Sequence, residues 1–257
     1  MIPEERRNII LDKLKKNSVC SIDKLKSEIN VSRVTIQRDI NLLASMGLLE
    51  KIHGGIRLER ESDNPIETRY SLRMKQNYDK KLDIAEKAQK YVKENSTIFI
   101  DSSTTGYYFA KEMFKRNYVD INLITTSPII LFDALNYPRQ KVVSTGGILR
   151  PEIGMLSGEW TLEFLKKVNI DSAFISAAGV STSGGITSSD VELVNIMMKI
   201  FEKTHEVNLL VDSSKLQRIA MLFIKPIKDC KRIITDSSAD KKTISDFRKI
   251  DEVEIIY

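Results

Sequence analysis

The sequence predicts an α/β chain in two parts: an N-terminal winged helix-turn-helix (residues 1–60) and a C-terminal parallel α/β domain (76–257), joined by a linker over 61–75. Three observations predict this. Helical patterns recur three times before residue 45 and then give way to a hairpin pattern around Gly54-Gly55. A polar stretch from Arg60 to Arg69, containing Pro65, interrupts the apolar periodicity. From Ser96 onward short apolar runs alternate with helical patterns, as in strands that pair in parallel through helical crossovers. A chain of 257 residues is long enough for two cores.

The first helix is expected from about Glu4 to Lys16, with Ile10, Leu11 and Leu14 at helical spacing. A second starts after the N-cap Ser21 and carries Ile22, Leu25 and Ile29 on one stripe. The third is capped by Ser32 and turns Ile36, Ile40 and Leu43 inward, which leaves Val34, Gln37, Arg38 and Asn41 on or near the opposite face. Strands are expected at Leu48–His53 and Ile56–Arg60 around Gly54-Gly55, a pair that tolerates positive φ. A helix face rich in Arg, Gln and Asn can read base edges and phosphates in a major groove. Lys51, His53 and Arg57 would project from the hairpin towards the DNA. The residues expected to contact DNA are Ser32, Arg33, Thr35, Gln37, Arg38, Lys51 and His53.

Charge placement agrees. Residues 1–60 hold 12 Lys/Arg against 8 Asp/Glu, whereas the remainder holds 28 against 27. The basic excess thus sits on the segment that would meet phosphates, and the rest would not bind nucleic acid by charge. No apolar run reaches the roughly 18 residues of a membrane span. The N-terminus shows no apolar signal segment, so a cytoplasmic protein is expected. Cys20 and Cys230 are far apart and fall in different expected domains, as do His53 and His205. No disulfide, metal site, catalytic triad or cofactor is therefore expected.

The N-terminal strings resemble the reader of the DeoR family of bacterial regulators. That family carries Val-Ser, two variable positions, Thr-Ile-Arg-Arg-Asp-Leu, and then Gly-Leu-Leu-x-Arg-x-His-Gly-Gly. Here these positions read Val31-Ser32-Arg33-Val34-Thr35-Ile36-Gln37-Arg38-Asp39-Ile40 and Gly47-Leu48-Leu49-Glu50-Lys51-Ile52-His53-Gly54-Gly55. Gln37 replaces the first Arg of the pair. Gln pairs with adenine where Arg prefers guanine, so a different operator sequence is expected.

Between the two parts, residues 68–91 form a charged, helix-compatible segment whose dense Lys and Asp are expected on a solvated face. Strands are then expected at Thr97–Ile100, Asn122–Thr125, Lys141–Ser144, Ser172–Ala177, Glu206–Val211, Arg232–Thr235 and Glu252–Ile256. Helices are expected near 105–116, 128–136, 158–168, 190–204 and 240–249. Ligands of such sheets bind at strand carboxyl ends, beside helix N-termini. Asp101-Ser102-Ser103-Thr104-Thr105-Gly106 falls there as a candidate phosphate cradle without a Walker lysine. So do Thr126-Ser127-Pro128, Gly146-Gly147 and Asp212-Ser213-Ser214-Lys215.

These segments resemble the DeoR-family effector domain, which is similar in fold to ribose-5-phosphate isomerase and binds phosphorylated sugars. The resemblance implies that Ser102, Ser103, Thr104 and Thr105 hold a phosphate, and that Asp101, Gly147 and Lys215 face the sugar. Ser103 stands where the family usually has Gly, and Thr126 where it has Asn. The expected protein is a DNA-binding regulator, a homo-oligomeric repressor of sugar-metabolism genes that a phosphorylated sugar releases from a double-stranded operator. Two alternatives stay open. An isomerase-like enzyme would need a carboxylate near Ala177–Gly184, where no Asp or Glu occurs. A DNA-binding protein whose second domain only oligomerises would have no ligand.

Overall fold

Ile10 and Leu14, Leu25 and Ile29, and Ile36, Ile40 and Leu43 converge on one small core, as the three helical stripes require. The computed structural model describes residues 3–257 apart from 18, 30, 46–48, 53, 59–68 and 117, with only the backbone of 3–5, 8, 15, 16, 45, 58 and 205. Contacts divide the chain into two units, Met1–Ile66 and Glu67–Tyr257.

The first unit runs α1 (Pro3–Asn17), β1 (Val19–Ser21), α2 (Ile22–Ile29), α3 (Arg33–Ser45), β2 (Leu49–Ile52) and β3 (Gly55–Leu58). Ser21 Oγ accepts from Lys24 N and Ser32 Oγ from Thr35 N, so both expected caps start their helices. Sequence periodicity does not reveal β1, which pairs with β3 and completes a three-stranded sheet. That strand changes the reading of the glycine pair. Gly54 alone has positive φ, at 76°. Gly55 lies in β3, where a Cβ would sit 2.7 Å from the Cys20 carbonyl oxygen.

The second unit continues with α4 (Arg69–Lys75), α5 (Tyr78–Ala88), β4 (Ser96–Ile100), α6 (Thr104–Arg116), β5 (Ile121–Thr125), α7 (Pro128–Ala134), β6 (Lys141–Ser144), β7 (Ile148–Arg150) and β8 (Met155–Ser157). It ends with α8 (Glu159–Lys166), β9 (Ile170–Ile175), β10 (Gly179–Ser181), β11 (Gly185–Ser188), α9 (Val191–Lys203), β12 (Thr204–Leu210), β13 (Leu222–Lys225), β14 (Arg232–Ile234), α10 (Lys241–Phe247) and β15 (Glu254–Ile256).

All seven strands expected from the sequence form one sheet, ordered β15-β14-β12-β9-β4-β5-β6 and parallel throughout. Its pleat sorts side chains alternately. Phe99, Ala173, Ile175 and Leu209 enter one apolar cluster with Leu165, Ile196 and Phe247 from α8, α9 and α10. Ile98, Ile100, Phe174 and Leu210 enter the other with Ile84, Phe109 and Ile130 from α5, α6 and α7. Burial on both faces explains why the inner strands read as near-continuous apolar runs, whereas the edge strands β6 and β15 stay partly exposed. The β7–β8 hairpin and the antiparallel β10-β11-β13 sheet lie outside this sheet. Their strands have only three or four residues, so no periodicity announced them.

Strand order fixes where a ligand would bind. From β4 the chain steps outward to β5 and β6, then returns to β9 on the other side of β4. Connections leave β4 and β9 in opposite directions, which opens a crevice at their carboxyl ends.

Phe174 is fully buried in β9 and packs on Phe109 with ring centroids 4.3 Å apart. Phe174→Ala should cost about 3–5 kcal/mol of stability in the second unit, measured by urea unfolding.

Candidate functional site

On the first unit, α3 presents Arg33, Val34, Arg38 and Asn41 to solvent while Ile36 and Ile40 hold the core. Gln37 is half-buried and its Nε2 donates to Asn41 Oδ1 at 3.3 Å, so two amide side chains are aligned along the outer face. Ser32 is exposed; its Oγ also lies 2.8 Å from Thr35 Oγ1, which ties the first turn together. Lys51 is exposed on β2. Arg57, opposite Glu50 in the hairpin register, forms an ion pair with it at 2.6 Å. His53 lies outside the described residues.

Asp39 was not expected to matter. It is buried on the inner side of α3, and its Oδ2 accepts from Arg6 Nε of α1 at 2.5 Å. This buried pair sets the rotation of α3, so Asp39 positions the reading face rather than joining it. Its place in the Arg38-Asp39 string was the available signal.

On the second unit, Asp101 stands at the carboxyl end of β4, at the crevice between β4 and β9. Its Oδ2 accepts from Ser176 N at 2.7 Å, and its Oδ1 from Ser103 N at 3.0 Å and Ser103 Oγ at 2.6 Å. Burial pushes the Asp101 carboxyl above its ordinary range, against these bonds and the Lys215 ammonium. Lys215 Nζ donates to Ser176 Oγ at 3.2 Å. Burial pulls the Lys215 ammonium below its ordinary range, while Asp212 and Asp101 oppose the shift. Asp101 and Lys215 are thus brought together on one residue of β9's exit.

The stretch 102–105 leads into α6, whose first N–H groups lack intrahelical acceptors. Ser103 caps the helix: its Oγ accepts from Gly106 N at 2.9 Å. The side chain that replaces the family's glycine therefore takes one of the amides a phosphate would use. Ser102 and Thr104 are buried beside it. Thr105 Oγ1, in the first turn of α6, and Thr126 Oγ1, just past β5, are buried with no hydrogen-bond partner. Each such group costs about 1–3 kcal/mol unless something supplies a partner. Gly147 has φ 115°, and a Cβ there would lie 2.2 Å from Thr161 Oγ1 and 2.4 Å from the Ser157 carbonyl oxygen. Packing against α8 and β8 accounts for that glycine.

Three further residues were missed. Lys81 was expected on a solvated face but is buried, in line with Ile84, Ala85 and Ala88 at i, i+3, i+4 and i+7. That stripe was legible, and a lysine on it was the signal. Its Nζ donates to the carbonyls of Arg73 and Gln76. Burial first, then Lys215, bring its pKa down to about 8, with Arg73 adding and Asp212 opposing. Arg73 Nη2 donates to the Ile153 carbonyl at 3.3 Å and feels the Asp101 charge. Tyr70 is buried with its ring against Gly154 and Ser127 beside its phenol.

A winged helix-turn-helix followed by a parallel α/β sensor defines a two-part regulator. Residues 6–62 match the DeoR-like helix-turn-helix domain, and residues 76–237 match the DeoR C terminal sensor domain. An HTH-type transcriptional regulator of Haemophilus influenzae is 31% identical over 92% of this chain and 90% of its own length. The glycerol-3-phosphate regulon repressor of Escherichia coli is 29% identical over 91% and 90%. A ribose 5-phosphate isomerase A of Methanocaldococcus jannaschii aligns over 55% of each chain at 23% identity and TM-score 0.41, too slight a likeness to bear on function. The chain belongs to the DeoR family of transcriptional regulators. Among the described residues, no helix is long and apolar enough to cross a membrane.

Between pH about 8 and the ordinary lysine range, folded Lys81 has shed its proton while the unfolded chain keeps it. The unfolded state then binds more protons, so stability should rise with pH across that window. Urea unfolding at several pH values should show this rise in the native chain and a smaller one in Lys81→Met.

Proposed function

We propose that this regulator is a cytoplasmic repressor of sugar-metabolism genes, bound to its operator as a homo-oligomer and released by a phosphorylated sugar. The observation that carries the reading is the polar cluster at the carboxyl ends of β4 and β9. There Asp101 and Lys215 meet on Ser176, and the unpartnered Thr105 and Thr126 hydroxyls lie in the first turn of α6 and just past β5. In the proposed complex the first turn of α6, from Ser102 to Thr105, receives the phosphate. Lys215 neutralises it, Asp101 accepts from sugar hydroxyls, and Gly147 borders the sugar. The repressor role is the one named for the Escherichia coli relative.

On DNA, Arg33 and Arg38 contact phosphates or guanine, Gln37 reads an adenine edge, and Ser32 and Thr35 bond phosphates at the helix start. Lys51 and His53 follow the backbone from the hairpin. Operators with repeated half-sites call for a symmetric oligomer. The reading is of a sensor rather than an enzyme. Residues 177–184 carry no Asp or Glu, and Asp101 already accepts three hydrogen bonds from the protein. That leaves no poised base for an isomerisation.

Release requires the sugar phosphate to bind the DNA-incompetent arrangement more tightly, and a coupling of about 1–3 kcal/mol changes DNA affinity roughly 5–150-fold. Arg38→Ala should weaken operator binding by about 1–3 kcal/mol in a gel shift on the DNA upstream of its own gene, with an unchanged circular dichroism spectrum. Lys215→Ala should bind that DNA normally yet stay bound when ribose 5-phosphate, glycerol 3-phosphate and related compounds are added in turn. A normal release of Lys215→Ala by the compound that frees the native protein would refute the crevice as the sensor.

A further inference from the structure

The first element of the second unit lies against the same crevice, and its fastening differs from ordinary helix packing. Helix α4 has seven residues, too few to be stable alone. Four contacts hold it. The Tyr70 ring covers Gly154, where a Cβ would come 2.4 Å from the ring. Arg73 Nη2 donates to the Ile153 carbonyl, and Tyr108 Oη donates to the Met74 carbonyl at 3.2 Å. The Lys81 ammonium closes the C-terminal end by donating to the Arg73 and Gln76 carbonyls. Two of these four fastenings, Arg73 and Lys81, are cations, and both interact electrostatically with each other or with Asp101, Lys215 and Asp212.

This arrangement holds Arg73, Lys81 and Lys215 close together against Asp101 and Asp212. Arg69 and Arg218 add to the positive charge felt by Arg73 and Lys215, so cations outnumber carboxylates around the buried Lys81 and half-buried Lys215, with Arg73 at the exposed rim. Docked α4 therefore carries an electrostatic penalty that a bound anion would turn into attraction. We propose that α4 is an anion-tightened strap: an effector phosphate in the crevice draws in Arg73 and Lys81 and locks the helix onto the sensor. The proposal rests on the sugar-phosphate reading above and states how that site is regulated. In sequence, α4 directly follows residues 59–68, the stretch leading from the DNA reader. How firmly it is held is thus set at the point where the sensor meets the chain to the reader. A population shift of α4 between held and released forms is the two-state element that effector binding biases.

Hydrogen exchange of the full chain, followed by mass spectrometry, tests this with inorganic phosphate as the probe and chloride at matched ionic strength as the control. Phosphate should slow exchange in residues 101–107, and should slow it about tenfold in 69–75, a shift measurable as local opening. In Arg73→Gln the slowing at 101–107 should remain while that at 69–75 is lost. Tyr108→Phe, which loosens α4 without altering charge, should speed exchange at 69–75 without phosphate and regain protection with it. Protection of 101–107 with unchanged or faster exchange at 69–75 overturns the strap and leaves the sensor reading standing. Slowing at 69–75 that persists in Arg73→Gln overturns the strap's electrostatic basis. Protection at neither segment overturns the sensor reading and the strap together.

Discussion

Asp101 closes the gap at the one place where the central sheet cannot close it. All seven strands run the same way, so every strand exit lies on one edge, and at β4 and β9 the connections part in opposite directions. Asp101 spans that parting through the Ser176 amide, and Lys215 reaches the same residue from beyond β12. Three chain segments, separated by 75 and 39 residues, are thereby joined at one serine. The crevice, the α6 cap through Ser103 and the position of the 212–215 turn all follow from that tie. Asn77 at the start of α5 extends it, donating to Asp212 and Ser214.

The electrostatics around this tie are out of balance in one direction. Asp101 has three hydrogen bonds to offset part of its burial, whereas the cations beside it share too few acceptors. Lys81 illustrates the point, because it uses backbone carbonyls of α4 in place of a carboxylate. Unpartnered hydroxyls at Thr105 and Thr126 add an unmet need for hydrogen bonds. Positive charge and spare hydroxyls together favour an oxygen-rich anion over an apolar or cationic ligand. The reading unit solves a different problem. Its Arg6–Asp39 pair is spent inside the fold so that neighbouring Arg38 can stay outside.

Much of this was legible in the sequence, for physical reasons that differ by element. The inner strands of the seven-stranded sheet are buried on both faces and announce themselves as apolar runs, and the helices between them carry their stripes and caps. The short strands β1, β7, β8, β10, β11 and β13 span three or four residues, too few to show a periodicity, and β1 and β13 also take distant partners. Asp101 and Lys215 were predicted to share a site, and the structure brings them to Ser176. Lys81 was placed in solvent because dense charge outweighed its position on an apolar stripe. Gly55 and Gly147 were read as turn or approach glycines. At Gly55 the governing fact is the β1 carbonyl, and at Gly147 it is Thr161 and Ser157. Ser103 was read as a phosphate-holding residue standing where the family usually has Gly. Its hydroxyl bridges Asp101 and Gly106, a role visible only once the helix start is in place.

The central claim is that the crevice and the DNA reader are linked through free energy. Linkage is reciprocal: a ligand that weakens operator binding by some factor must itself bind less tightly, by the same factor, when operator is present. Isothermal titration of the releasing sugar phosphate into the free protein and into its operator complex measures that factor directly. The account predicts a weaker apparent affinity in the complex, matching the loss of DNA affinity measured separately. Equal affinity for free and DNA-bound protein would contradict it.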